Sequence, residues 1–198
     1  MRSGVSMLIG LLVFAVSCAL SLTAHATAVM NLSDEAMVNQ AETILTGRVT
    51  YIRSEWNEER TKIFSYVTVT PENLLKGNAY QNEIVVKQLG GEVGDIGMYV
   101  EGISVFEENE EVFVFLRKGR DGFHRVVGFS QGKFSVEIDP STQRKTLVRK
   151  RIKFLRTQNG MIGKKVVDII SDKKILLDEF STKIRTIMQQ EIDSNVQY

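Results

Sequence analysis

The polarity pattern changes period three times along the chain. Val5 to Val16 is an apolar run whose only hydroxyl is Ser6; it follows Met1-Arg2-Ser3-Gly4 and precedes Ala24-His25-Ala26. A basic start, an apolar middle and an Ala-x-Ala end predict a leader peptide cut after Ala26. Two other readings compete. Residues 5–22 count 18, just enough to span a bilayer as a retained anchor. Ala15-Val16-Ser17-Cys18 is a degenerate lipobox through which Cys18 would carry an acyl anchor.

From Leu32 the period is helical. Ser33 suits an N-cap, Asp34 and Glu35 the first turn, and Leu32 can staple to Met37, so a short helix is expected to about Glu42. The period then becomes two. Leu45, Gly47, Val49 and Tyr51 take one face of a strand and Thr46, Arg48 and Thr50 the other. Ile63 to Thr70 reads as a second strand that Pro71 ends or bulges, Leu74 to Asn78 as a turn, and Glu83 to Leu89 as a third strand. Gly90 to Gly97 reads as a glycine loop, Tyr99 to Phe106 as another strand, and the unbroken apolar Val112 to Leu116 as the central one. Phe123 to Phe129 and Phe134 to Ile138 follow, the latter with Phe134, Val136 and Ile138 inward and Ser135 and Glu137 outward. A turn at Asp139 to Thr142 leads to Thr146 to Leu155 as hairpin partner. Near the end Phe180, Ile184, Ile187, Met188 and Ile192 share a helical face with Asp178 as N-cap, while the pattern assigns nothing to residues 164–171. Some seven short strands predict a mainly β single domain over residues 27–198: a small antiparallel barrel or sandwich, OB-like, with one N-terminal and one C-terminal helix.

Composition narrows the chemistry. The chain has 25 Lys and Arg against 24 Asp and Glu, two His and one Cys. That excludes a disulfide framework, a thiolate zinc cage and bulk electrostatic coating of nucleic acid. Cleavage after Ala26 removes Arg2, His25 and Cys18, leaving 24 basic and 24 acidic side chains, no Cys, and His124 alone. The expected location is then periplasmic or secreted. A chain of that size buries about 70% of its unfolded surface without covalent help.

Four features invite a functional reading. His124 could serve Ser104, Ser130 or Ser135 as a hydrolase pair, but no G-x-S-x-G elbow surrounds any of them; a hydrolase using carboxylates or such a pair is the competing function. Gly90, Gly91, Gly94, Gly97 and Gly102 lack the Gly-Lys-Ser/Thr of a phosphate loop and read as a hairpin connection that could let a ligand or partner approach closely. Glu107, Glu108, Glu110 and Glu111 lack calcium-loop spacing and read as a solvated turn. Arg144 to Arg156 carries seven basic residues and no acid; Arg149, Arg151 and Lys153 share one strand face, and Lys150 lies on the other. Arg149, Lys150, Arg151 and Lys153 are therefore the candidate partner site, for a protein or an anionic glycan or lipid. Nucleic acid is disfavoured because no aromatic interleaves the basic face, and Glu137 and Asp139 across the hairpin could neutralise it. No catalytic, metal or cofactor residue is selected, and no cofactor is expected.

Leu32-Ser33-Asp34-Glu35, Leu45-Thr46-Gly47-Arg48-Val49, Leu75-Lys76-Gly77, Gly90-Gly91, Val112 to Leu116 and Gly128-Phe129-Ser130-Gln131-Gly132-Lys133-Phe134 resemble the pattern of a group of secreted bacterial proteins. More loosely that pattern is similar to the OB-type barrel of netrin and metalloprotease-inhibitor modules. The resemblance implies a non-catalytic extracytoplasmic binding module. The inhibitors chelate protease zinc through a cysteine at the mature N-terminus, and cleavage after Ala26 leaves none here.

Overall fold

The structure, a computed structural model, describes residues 31–78, 82–156, 162–169 and 175–196, with side chains to residue 150 and again over 175–194. Helix α1 (Asp34–Gln40) starts as its sequence dictates: the Ser33 hydroxyl accepts from the Ala36 N–H at 3.1 Å, and Asp34 and Glu35 occupy the first turn. It stops short of Glu42 because Ala41 turns extended. Strands β1 (Thr43–Trp56) and β2 (Ile63–Lys76) then pair antiparallel over 14 residues each, longer than their periodicity suggests. Pro71 lies inside β2, facing Gly47 across a register irregularity, so it marks a bulge. A Cβ at Gly47 would sit 2.5 Å from the Thr70 carbonyl oxygen, which is why glycine stands there.

Strands β3 (Ile84–Leu89), β6 (Glu111–Lys118) and β7 (His124–Val126) complete a ring ordered β1-β2-β3-β7-β6, which the β1–β6 pairing closes. Closure removes both free edges of the five strands. The β3–β7 contact is parallel and rests on one pair, Val86 with His124, whereas the other seams are antiparallel. This is a small OB-like barrel. Strands β8 (Lys133–Ile138), β9 (Lys145–Arg156) and β10 (Ile162–Ile169) extend the sheet beyond β6, β11 (Ile175–Leu176) pairs with β9, and helix α2 (Leu177–Val196) follows directly.

Strand β6 separates two cores. Val112, Val114 and Leu116 point into the barrel with Leu45, Val49, Val67, Val69, Ile84 and Val86. Phe113 and Phe115 point outward, beneath Met37 and Val38 of α1 and Phe180 and Ile184 of α2. The Phe180 ring centre lies 5.3 Å from those of Phe113 and Phe134 and 6.3 Å from that of Phe115. A strand buried on both faces has no position for a polar residue, which explains the unbroken apolar run.

Several local expectations are corrected. On β8 Phe134 is buried, but so is Ser135, and Ile138 is 62% exposed, because the start of the strand is covered on both faces and its end leaves the core. Tyr51 turns outward after a register irregularity following Val49. Asp178 lies within the first turn of α2 and is not its cap, since the helix begins at Leu177 straight from β11. Ile192 is exposed where α2 overruns the core it covers. The glycine loop folds as a hairpin, β4 (Gly91–Val93) with β5 (Ile96–Met98); residues 99–106 form no strand, and Phe123 to Phe129 yields only short β7 before a 3-10 turn, Phe129–Gly132. Among the described residues no helix is long and apolar enough to cross a membrane.

Phe180→Ala should cost about 3–5 kcal/mol, because one ring joins three others. Urea unfolding measures it, and a loss under about 1 kcal/mol would show that α2 does not hold the outer core.

Candidate functional site

Four of the seven basic residues in the run, Arg144, Lys145, Arg149 and Lys150, have partners within the fold. Arg149 donates from Nε to the Gln131 carbonyl at 3.0 Å and lays its guanidinium 4.3 Å from the Phe134 ring centre, half-buried, and burial lowers its pKa. Lys150 pairs with Glu137 at 2.8 Å across the hairpin. Arg144 is held by Asp178 and Glu179, and Lys145 by Glu111. The side chains of Arg151 and Lys153 lie outside the described residues. The Asp139 Oδ1 accepts the Ser141 and Thr142 N–H groups and shapes the turn.

The candidate hydrolytic groups are dispersed. His124 is 7% exposed on β7, and burial is the main force pushing its imidazole below the ordinary 6.5. No hydrogen bond among the described residues joins it to Ser104, Ser130 or Ser135. Ser104 donates to the Phe129 carbonyl at 3.1 Å. Ser135 lies 2.9 Å from the wholly buried Lys133 ammonium and 3.0 Å from Glu110, and Lys133 is itself paired with Glu110 at 2.8 Å. Burial lowers the Lys133 pKa and the Glu110 charge opposes that shift. The acidic cluster is shared out in the same way: Glu108 accepts the Ile52 N–H, Glu110 takes Lys133, and Glu111 takes Lys145.

Strand register assembles a different surface. Arg53 faces Tyr66, Tyr66 faces Lys87, the Val86–His124 pair sets Lys87 beside Arg125, and Arg125 faces Arg117. Their neighbours Val67, Val86 and Leu116 point into the barrel, so this row runs round its outside. The Arg53 guanidinium lies 4.2 Å from the Tyr66 ring centre. The Lys87 ammonium lies 4.6 Å from that of Phe64 and 5.5 Å from that of Phe123. These contacts fix the cations over apolar rings.

Acids cover the row only in part. Glu55 pairs with Arg53, and Asp121 takes Arg125 at 2.7 Å and Lys87 at 3.2 Å. The Arg125 hydrogen bond is the main reason the Asp121 carboxyl is held below its usual range. Arg117 has no acidic partner among the described residues. Like charges directly opposite on antiparallel strands repel, and Arg117 and Arg125 stand in that relation. Sequence reasoning missed the row because its members lie on five strands and only register makes them neighbours.

Two clefts flank Gln88 beside this row. One, of about 330 Å³, lies under the glycine hairpin, where the Ser54 and Ser65 hydroxyls meet at 3.0 Å. A Cβ on Gly91, whose φ is 142°, would lie 2.4 Å from each of those hydroxyls, so this glycine admits the hairpin's own close packing. The other, of about 310 Å³, is lined by Phe64, Leu89, Ile103, Arg117, Arg125 and Phe129. Gln88 Oε1 is buried and accepts no hydrogen bond among the described residues. Phe129 is 56% exposed and holds φ at 58°, a left-handed backbone unfavourable for a bulky side chain.

Fold and surface together define a small OB-like barrel with a cationic, aromatic-backed outer belt. No family profile, curated protein or solved structure matches the chain.

His124 gives a pH signature. Its imidazole takes up a proton more readily unfolded than folded, so stability should be lost as pH falls below 6.5. Urea unfolding at about pH 7.5 and about pH 5.5 should show a smaller difference for His124→Gln than for the wild type. Equal differences would mean that His124 is not the group responsible.

Proposed function

We propose that this chain is a non-catalytic extracytoplasmic binding module whose outer cation belt holds an anionic partner, an acidic envelope glycan fitting it best. The observation that carries this reading is the unneutralised Arg117 directly opposite Arg125, an arrangement that costs the free protein stability and that an anion would relieve. Arg53, Lys87, Arg125 and Arg117 follow one line across five strands, which suits a charge-bearing polymer more than a single small ion. OB barrels bind oligosaccharides and oligonucleotides across the face of their second and third strands, where Tyr66 and Lys87 stand here. The leader-like segment ending Ala24-His25-Ala26 and the resemblance to secreted proteins support a place outside the cytoplasm.

Heparin, an acidic glycan, serves as the probe. Arg53→Glu and Arg117→Glu should each elute from heparin at lower salt than the wild type. Lys150→Glu, which changes net charge equally but lies off the belt, should elute close to the wild type. Equal shifts for all three would reduce the belt to a net-charge effect and overturn the assignment.

A further inference from the structure

Resting on the binding reading above, we infer that the cleft at the Arg117 end of the belt is a distinct subsite for a small apolar carboxylic acid, bound as its carboxylate. The cleft sets an apolar wall beside a cation that no acid in the described residues neutralises. Its walls are apolar, from Phe64, Leu89, Ile103 and Phe129, and its volume of about 310 Å³ falls at the small end of ligand pockets. Its cationic side is Arg117, without an acidic partner among the described residues, beside Arg125, which shares Asp121 with Lys87. A planar guanidinium meets a carboxylate through two parallel N–H···O bonds, and an apolar wall beside it strengthens that pairing by excluding water.

Phe129 supplies the second, independent observation. A large ring more than half exposed, on a residue whose φ of 58° a phenylalanine rarely adopts, is unfavourable twice over in the free protein. Phe129 lines the cleft, so a hydrocarbon bound there would cover part of its exposed surface.

Titration calorimetry on protein recovered after expression of the full chain tests this with octanoate and 3-phenylpropionate, which separate alkyl from aromatic acids. At least one should bind, with 1-octanol or 3-phenylpropanol, lacking the charge, and acetate, lacking the hydrocarbon, weaker by roughly tenfold or more. Arg117→Glu should weaken the acid by roughly tenfold or more, while Arg53→Glu, at the far end of the belt, leaves it unchanged. Phe129→Gly should weaken the acid yet leave the thermal midpoint as high as the wild type, because glycine tolerates the left-handed backbone. An alcohol binding as tightly as its acid, an unaffected Arg117→Glu protein, or no acid binding to the folded wild type would each overturn the subsite. The belt is judged separately, by whether Arg53→Glu lowers heparin retention.

Discussion

Strand β6 is the wall that the rest of the molecule leans on. Its inward valines and leucine fill the barrel, and its outward phenylalanines carry both helices and β8. The two cores are therefore coupled: a shift of β6 toward one opens space in the other, and close-packed interiors resist such shifts. The same strand reaches solvent at Arg117, so the rigidity that two cores impose on its middle also sets where the surface cation stands.

The segment from Gly128 to Phe134 is built into this wall. Gly128 takes a left-handed φ of 64°, Gln131 Oε1 accepts the Leu32 N–H at 2.7 Å, and a Cβ on Gly132 would lie 2.4 Å from the Val127 carbonyl oxygen. Lys133 buries its ammonium against Glu110 and Ser135, with the Phe106 ring 5.0 Å away. A buried ion pair of this kind contributes little net stability, but removing either partner strands a charge. These residues hold the turn after the barrel in one conformation, and Phe129, between them, is the member turned toward solvent.

Much of the architecture was legible along the chain. Helix α1 announces itself through Ser33 and the acids after it, β6 through its unbroken apolar run, and the β8–β9 hairpin through the Asp139-Pro140 turn. Periodicity misleads where a strand enters or leaves cover partway, as at Tyr51, Ser135 and Ile138, because alternation reports two faces and not the length over which each is buried. The basic run around Arg149 stands out by density and alternation, and Glu137 across the hairpin is a legible partner for Lys150, yet neither pattern reveals that Gln131 and Phe134 take up Arg149. The belt has the opposite character: each of its cations is an ordinary outward residue of its own strand, and only pairing registers make them a row.

The barrel is closed by seams of unequal strength. Four are antiparallel ladders, whereas β3 and β7 meet in parallel at the single pair of Val86 and His124. Sheet stability accrues by paired residues, and this junction has the fewest of the ring's five seams. The cleft beside Arg117 has walls on both sides of it, with Gln88 and Leu89 from β3 and Arg125 and Val126 from β7. A small separation of the two strands would widen that cleft while the β1–β2 and β1–β6 ladders kept their register. The barrel thus carries its shortest seam beside Arg117, the belt cation that no acid in the described residues neutralises.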